Sequence, residues 1–197
     1  MNKIIIILLS SLLSLNVNAA LINIYETNIS LSTIAQAENV IDNALAADTT
    51  FTNDNVFYSD YNHHGASAFP DGHNTTFVLT ATGMIDTSLY SALKFFHDDG
   101  IDVNLDGSSL YSYNANTALR DSGWRNFADT GMASFDLLFW ENGGAASILV
   151  YGQLRNGGTT EVANFSTVSP TVPVPEPSTL AILGLGLLGL VTRKIKK

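Results

Sequence analysis

Cysteine is missing from the 197 residues. That excludes a disulfide framework and a thiol nucleophile, so the domain depends on its core, or on its core and a bound ion. Basic charge is scarce and badly distributed. Of nine Lys and Arg residues, Lys3 lies near the start, and Arg193, Lys194, Lys196 and Lys197 lie in the last five positions. Removing those ends leaves four basic residues (Lys94, Arg120, Arg125, Arg155) against all 18 acidic ones, a balance of −14. Such a body lacks the basic footprint that phosphates need, which argues against nucleic acid as a partner. It fits a soluble extracellular protein that binds calcium, and equally one that is acidic only for solubility. No Gly-x-Ser-x-Gly nucleophile elbow is present, and no internal repeat. Eighteen carboxylates make some pair at ~5.5 or ~9 Å inevitable, so carboxylate proximity alone does not argue for a glycosidase.

Long apolar runs occur only at the two ends. Residues 1–19 have a positive start at Lys3, an apolar stretch from Ile4 to Leu15, and the small-residue site Val17-Asn18-Ala19 before Ala20. This is the pattern of a cleaved secretory signal peptide. The run is too short for an uncleaved anchor. At the other end, Pro170, Pro173, Pro175 and Pro177 fall within twelve residues. They favour an extended polyproline II linker over helix or central strand. The segments are therefore a linker at 167–178, an apolar helix at 179–192 and a basic tail at 193–197. The unbroken apolar run Leu180–Val191 would form a helix of ~18 Å, short against a hydrocarbon core of ~30 Å. The basic end would stay cytoplasmic.

Between the ends lies one domain, 20–166. A first strand is predicted at 21–29. Leu31, Ile34, Ile41 and Leu45 then recur at helical spacing, which predicts an amphipathic helix within 30–47 with Ser32 as N-cap. Short β-type runs follow, predicted at 50–52, 56–58, 75–85, 93–97, 101–105, 110–113, 132–140, 146–154 and 160–165. The fold class is therefore mostly β, an antiparallel sandwich with one helix near its N-terminus. A domain of this size buries ~70% of its unfolded surface, enough for a core without cross-links.

The richest stretch is Phe95 to Gly107. Ile101, Val103 and Leu105 alternate with Asp102, Asn104 and Asp106, so one face of a strand is apolar and the other polar. Asp106-Gly107 signals a tight hairpin turn, and Glu141-Asn142-Gly143-Gly144 has the same chemistry between the last two long strands. Asp98-Asp99-Gly100 is an acidic loop entering the strand. Calcium prefers six to eight oxygen ligands, carboxylates and carbonyls among them. Adjacent strand residues point to opposite sides, so a shared ion requires the backbone to turn both aspartates inward. The bland alternative is a solvated acidic loop.

Other constellations are weaker. Asp102-x-Asn104-x-Asp106-Gly107 matches half an EF-hand loop, but the twelfth position is Tyr113 and the flanks read as strands. His63, His64, His73 and His97 follow no metal-ligand spacing. Tyr58, Tyr61, Tyr111, Tyr113 and Trp124, if exposed, would stack on the apolar faces of sugar rings; aromatics in a sandwich are more commonly core.

Two resemblances add to this reading. Val174-Pro175-Glu176-Pro177-Ser178-Thr179-Leu180, the Gly/Leu helix and Arg193-Lys194 closely resemble the PEP-CTERM sorting signal. The resemblance implies export through the Sec translocon and recognition of Pro175, Glu176 and Pro177 by an exosortase. It further implies transient anchoring in the inner membrane through the C-terminal helix. It places the product in the cell envelope or extracellular matrix of a Gram-negative bacterium, with exopolysaccharide as a partner. The stretches Leu93–Gly107, Trp124 and Phe135–Gly152 resemble the protective-antigen-type β-sandwich, the PA-14 domain. That family implies a non-catalytic carbohydrate-binding module rather than an enzyme. In its lectin members two aspartates joined by a cis peptide hold a calcium ion that also ligates sugar hydroxyls, and Asp98 and Asp99 occupy that position. Tyr111, Tyr113 and Trp124 are the expected sugar-stacking residues. The alternatives are a structural matrix protein without a ligand and, more remotely, a glycan-active enzyme.

Overall fold

In the computed structural model, residues 19–59 and 76–166 are described. The expected signal peptide, Pro-Glu-Pro linker, sorting helix and basic tail therefore lie outside the described residues. So do Tyr61, His63, His64 and His73. Among the described residues no helix is long and apolar enough to cross a membrane.

The described residues form twelve strands and one helix, in chain order β1 (Ala20–Glu26), α1 (Ile34–Asn43), β2 (Thr49–Asn53), β3 (Phe57–Ser59), β4 (Thr76–Asp86), β5 (Tyr90–Asp98), β6 (Gly100–Leu105), β7 (Ser108–Tyr113), β8 (Arg120–Asp121), β9 (Arg125–Asn126), β10 (Met132–Asn142), β11 (Ser147–Leu154) and β12 (Thr160–Val162). One sheet runs β2-β1-β4-β10-β6-β7. The other runs β12-β11-β5-β8, with β3 on β11 and β9 on β5. The pairings are antiparallel. The mostly-β sandwich expected from the patterning is the fold observed.

The period-2 residues fill the space between the sheets. Ile22, Ile24, Leu79, Leu93, Phe95, Ile101, Val103, Phe135, Phe139, Ile148, Val150 and Phe165 are all buried there. Each fully buried side chain of this size contributes ~1.5–3 kcal/mol relative to leaving it in water. A second, smaller cluster of Leu31, Ala37, Val78 and Trp140 lies under α1. Val78 and Trp140 are cross-strand neighbours in the first sheet, so α1 covers that sheet's outer face. The helix is shorter than predicted and its N-cap is Thr33 rather than Ser32: Thr33 Oγ1 accepts from Gln36 N. Gln36 Oε1 reaches back to Ser32 N at 2.8 Å. The Thr33–Gln36 pair thus satisfies two N–H donors at the helix start, a variant of the capping box, and Asn114 Oδ1 takes a third, from Ile34 N.

The Asp106-Gly107 turn is a hairpin turn as predicted: Leu105 pairs with Ser108, and φ is 48° at Asp106 and 70° at Gly107. The Glu141–Gly144 turn is not. Strand β10 is paired on both sides, with β4 and β6, while β11 lies in the other sheet beside β5. Gly143 and Gly144, both at positive φ, carry the chain across the layers instead of back along itself. The strand pair β5–β6 crosses in the same way, since β5 belongs to the second sheet and β6 to the first. The two crossings are side by side: Asp98 pairs with Ser147, and Gly100 pairs with Trp140. Two strands, β8 and β9, were not predicted; at two residues each they are too short to carry a periodic signal.

Candidate metal centre

The two crossings bring together residues 43 positions apart in sequence. Asp98 ends β5, Asp99 is the single residue between β5 and β6, and Glu141 lies one residue before the end of β10. One carboxylate oxygen from each of the three lies within 4.8 Å of the others. The Asp98–Asp99 peptide bond is cis, the feature that the PA-14 resemblance implies. Asp99 and Glu141 are 7% and 1% exposed, and Asp98 is half-buried.

Asp99 is held at every polar atom. Its N–H donates to the Trp140 carbonyl at 3.3 Å. Its Oδ1 accepts from Thr117 N at 2.8 Å, and its Oδ2 from Asn142 N at 2.9 Å. Its own carbonyl lies 2.6 Å from His97 Nδ1. Glu141 Oε1 accepts from Gly143 N at 2.7 Å. Around this set, Asn116 joins three segments: its Oδ1 accepts from Trp140 Nε1 at 3.0 Å and its Nδ2 donates to the Leu31 carbonyl at 2.8 Å. Asn142 Oδ1 accepts from Leu31 N at 2.6 Å.

His97 is fully buried. A carbonyl oxygen can only accept, so Nδ1 carries the proton and Nε2 accepts from the Tyr111 hydroxyl, 3.0 Å away. Burial holds this imidazole below its ordinary titration range, opposed by its bond to the Asp99 carbonyl and reinforced by the Arg120 charge.

Three carboxylates at this separation repel one another by about 3 kcal/mol per pair at an effective dielectric of ~20. A bound cation converts that repulsion into attraction. The donor set fits a hard ion: three carboxylates, with Ser147 beside them. Ser147 is the cross-strand partner of Asp98, is 1% exposed, and its hydroxyl has no hydrogen-bond partner. There is no cysteine, and both nitrogens of His97 are engaged, so the described residues offer no soft or imidazole ligand here. Oxygen-only donation suits calcium.

The other expected site residues are placed differently. Tyr111 and Tyr113 lie on β7 and pack against the main core. Tyr111 stacks on Phe95 at 5.9 Å and 6°, with the Arg125 guanidinium 4.6 Å from its ring. Tyr113 lies 5.5 Å from His97 and under the Arg120 guanidinium. Both rings are half-buried and pack on these neighbours, next to His97. Tyr58 likewise packs on the core. Trp124 stands apart, half-buried between β8 and β9, with Lys94 Nζ 5.0 Å from its ring. In the discarded EF-hand match, Asp102 accepts from Asn104 Nδ2 and Asp106 from Ser134 N; both serve local structure. Pro175, Glu176, Pro177, Arg193 and Lys194 lie outside the described residues.

Glu141 is the residue that sequence reasoning passed over, having been read only as part of a turn. Its signal was available. Phe135, Leu137 and Phe139 define the inward row of β10, and Glu141 is the next residue of that row. His97 and Asp99 continue the inward row of β5 after Leu93 and Phe95 in the same way.

Comparison with known proteins resolves the C-terminal segment and the body of the chain separately. Residues 173–197 match the model of the PEP-CTERM protein-sorting motif. The chain carries a PEP-CTERM sorting signal. That signal marks an exported protein processed at the envelope by an exosortase. The body is similar in structure to the PA14 domain of the antifreeze protein MpAFP, with 20% identity and a TM-score of 0.62, covering 75% of this chain and 89% of that one. It is equally similar to a PA14 sugar-binding domain from an RTX adhesin, at 20% identity and TM-score 0.62, covering 77% and 99%. The epithelial adhesin 9 A domain from Candida glabrata, in complex with Galβ1-4GlcNAc, is 10% identical at TM-score 0.54, covering 79% and 91%. The body of the chain therefore has the PA14 fold. No curated protein is similar to it in sequence.

Proposed function

We propose that this PEP-CTERM protein is a non-catalytic carbohydrate-binding module of the cell envelope or extracellular matrix, acting through calcium. The observation that carries the reading is the convergence of Asp98, Asp99 and Glu141 at the corner where the chain twice crosses between the sheets. These three residues, with the Ser147 hydroxyl, would hold the ion. A bound calcium supplies a positive centre that sugar hydroxyls ligate. The protein's own residues do the rest. The four bonds of Asp99 fix one carboxylate, Glu141 is held by Gly143, and the buried surroundings strengthen every charge interaction. Two structural neighbours support the ligand class, since one is a sugar-binding PA14 domain and another carries a bound disaccharide. The low basic content points to uncharged glycans over polyanionic ones. In this reading the chain leaves through the Sec translocon and meets exopolysaccharide after exosortase processing.

A second reading is favoured by one observation. The hydrogen bonds of Asp99 also suffice to hold the crossing together without a ligand, as in a purely structural matrix protein. One experiment separates the two. The purified protein is applied to a glycan array with calcium and again with a chelator, beside Asp98→Asn. Calcium-dependent retention of a glycan, lost in the variant while its circular dichroism is unchanged, supports the lectin reading. Absence of any calcium-dependent signal supports the structural one.

A further inference from the structure

We infer that His97, oriented by Tyr111, is a positioning residue of the cation site: it fixes the Asp99 main chain and through it the Asp99 carboxylate. The inference rests on the calcium reading above and adds residues that touch no ion. Three observations carry it. First, His97 is fully buried yet spends both ring nitrogens on this connection, one on the Asp99 carbonyl at 2.6 Å and one on the Tyr111 hydroxyl at 3.0 Å. Secondly, the carbonyl leaves no choice of tautomer, and the Tyr111 O–H holds that tautomer by donating to the bare Nε2. Thirdly, Tyr111 is itself packed in place. Its ring is clamped between Phe95 and the Arg125 guanidinium, and Arg125 is tied in turn to the Ser122 carbonyl. The chain of contacts thus runs from the edge of the second sheet, through a tyrosine of the first, to the one residue that crosses between them. Groups that orient metal-ligating side chains govern affinity strongly, their loss typically costing ~10–100-fold.

The chemistry of the two nitrogens gives a test that a merely space-filling histidine would not pass. An asparagine amide N–H overlays the Nδ1–H of imidazole, while a glutamine amide overlays Nε2. His97→Asn therefore keeps the donor to Asp99, and His97→Gln keeps only the reach to Tyr111. Both remove similar ring packing. Calcium affinity is measured by titration calorimetry on the full protein, and melting in chelator is recorded alongside. We expect His97→Gln to weaken calcium about tenfold, with His97→Asn staying near the parent although the two melt alike. Tyr111→Phe, which keeps the stacked ring and removes only the hydroxyl, serves if either His97 variant fails to fold; it is expected to weaken calcium severalfold. In ¹⁵N spectra of the parent, His97 should carry its proton on Nδ1. Equal affinity in parent, His97→Gln and Tyr111→Phe, or a proton on Nε2, overturns the positioning role and leaves the cation site standing. A parent that takes up no calcium overturns the site itself, and this inference with it.

Discussion

Trp140 lies flat against Gly100 across the β10–β6 pair. A methyl group on Gly100 would fall deep inside the indole, against Cζ2, Cη2 and Cε2. Trp140 is fully buried under α1, and its Nε1–H is spent on Asn116, so the ring has nowhere to go. The glycine beside the two aspartates is thus required by packing. Its small size lets the β6 backbone pass beneath a large ring while Asp99 donates to the Trp140 carbonyl.

Gly100→Ala should therefore destabilise the fold by about 1–3 kcal/mol, the cost of overpacking a closed core. Gly107→Ala is the control. Its φ is +70° but nothing lies within 4 Å of the added carbon, so it pays only the left-handed backbone penalty of ~1–2 kcal/mol. Urea unfolding measures both. The difference between them lies in the site: calcium affinity should fall in Gly100→Ala and hold in Gly107→Ala. Equal effects on affinity would show that the Trp140–Gly100 contact does not shape the corner.

How far this corner could be read in advance depends on what kind of information a pattern holds. Alternation along Ile101–Leu105 gave the strand and its buried face, because period 2 is a local property of the backbone. The Asp106-Gly107 turn was legible for the same reason. Glu141-Asn142-Gly143-Gly144 has equally good turn chemistry, yet the chain there crosses to the other sheet. A turn signature states that the direction changes, not which strand is waiting, and β10 already had a neighbour on each side. The meeting of Glu141 with Asp98 and Asp99 is long-range in the same sense. Only the inward rows ending in Asp99 and Glu141 hinted at it. Tyr111 and Tyr113 were legible as aromatics near a site, but their packing on Phe95 and His97 was not, since a strand's sequence does not tell which of its faces another sheet covers.

Tyr90 offers a pH test at the opposite end of β5. Its ring is 1% exposed and packs over Gly152. Its hydroxyl donates to Glu161 Oε1 at 2.7 Å and accepts from Asn164 N at 3.2 Å. Burial pushes the phenol above its ordinary value of 10.0, and the bond to Glu161 adds to this. With the folded pKa raised, the stabilisation is fully present below pH ~10 and is lost as pH rises through the folded value, because the unfolded chain ionises first. Tyr90→Phe should cost ~1–2 kcal/mol at neutral pH by stranding its two partners. The gap between parent and variant should then narrow from pH 9 to pH 11 in urea titrations. A constant gap would mean that Tyr90 ionises in the fold as readily as in the unfolded chain.

The sorting signal predicts a processing defect. In the native host, replacing Pro175, Glu176 and Pro177 with alanine should leave the tail uncut, so the product should be heavier by the mass of the retained segment and remain with the membrane fraction. Intact-mass spectrometry reads this directly. The same spectra give the mature N-terminus, expected at Ala20, where β1 begins. Identical masses for parent and variant would separate the motif from the cleavage.

Glu141→Gln distinguishes a cation site from a purely structural acidic corner by the sign of its effect. Glutamine keeps the Oε1 acceptor used by Gly143 N and removes one of three mutually repelling charges. In chelator, the variant should be as stable as the parent or slightly more so, because relief of repulsion offsets the lost carboxylate. With calcium the order should reverse. At a calcium concentration a hundred times its Kd the parent gains ~2.7 kcal/mol by mass action, while the variant, lacking one anionic ligand, gains less. Asp136→Asn, an exposed carboxylate elsewhere on β10, should follow the parent in both conditions. Thermal melts of the three proteins with and without calcium give all six values. A crossing of the two curves requires an ion between the carboxylates; a uniform loss in Glu141→Gln, indifferent to calcium, would make Glu141 a structural residue of the crossing and nothing more.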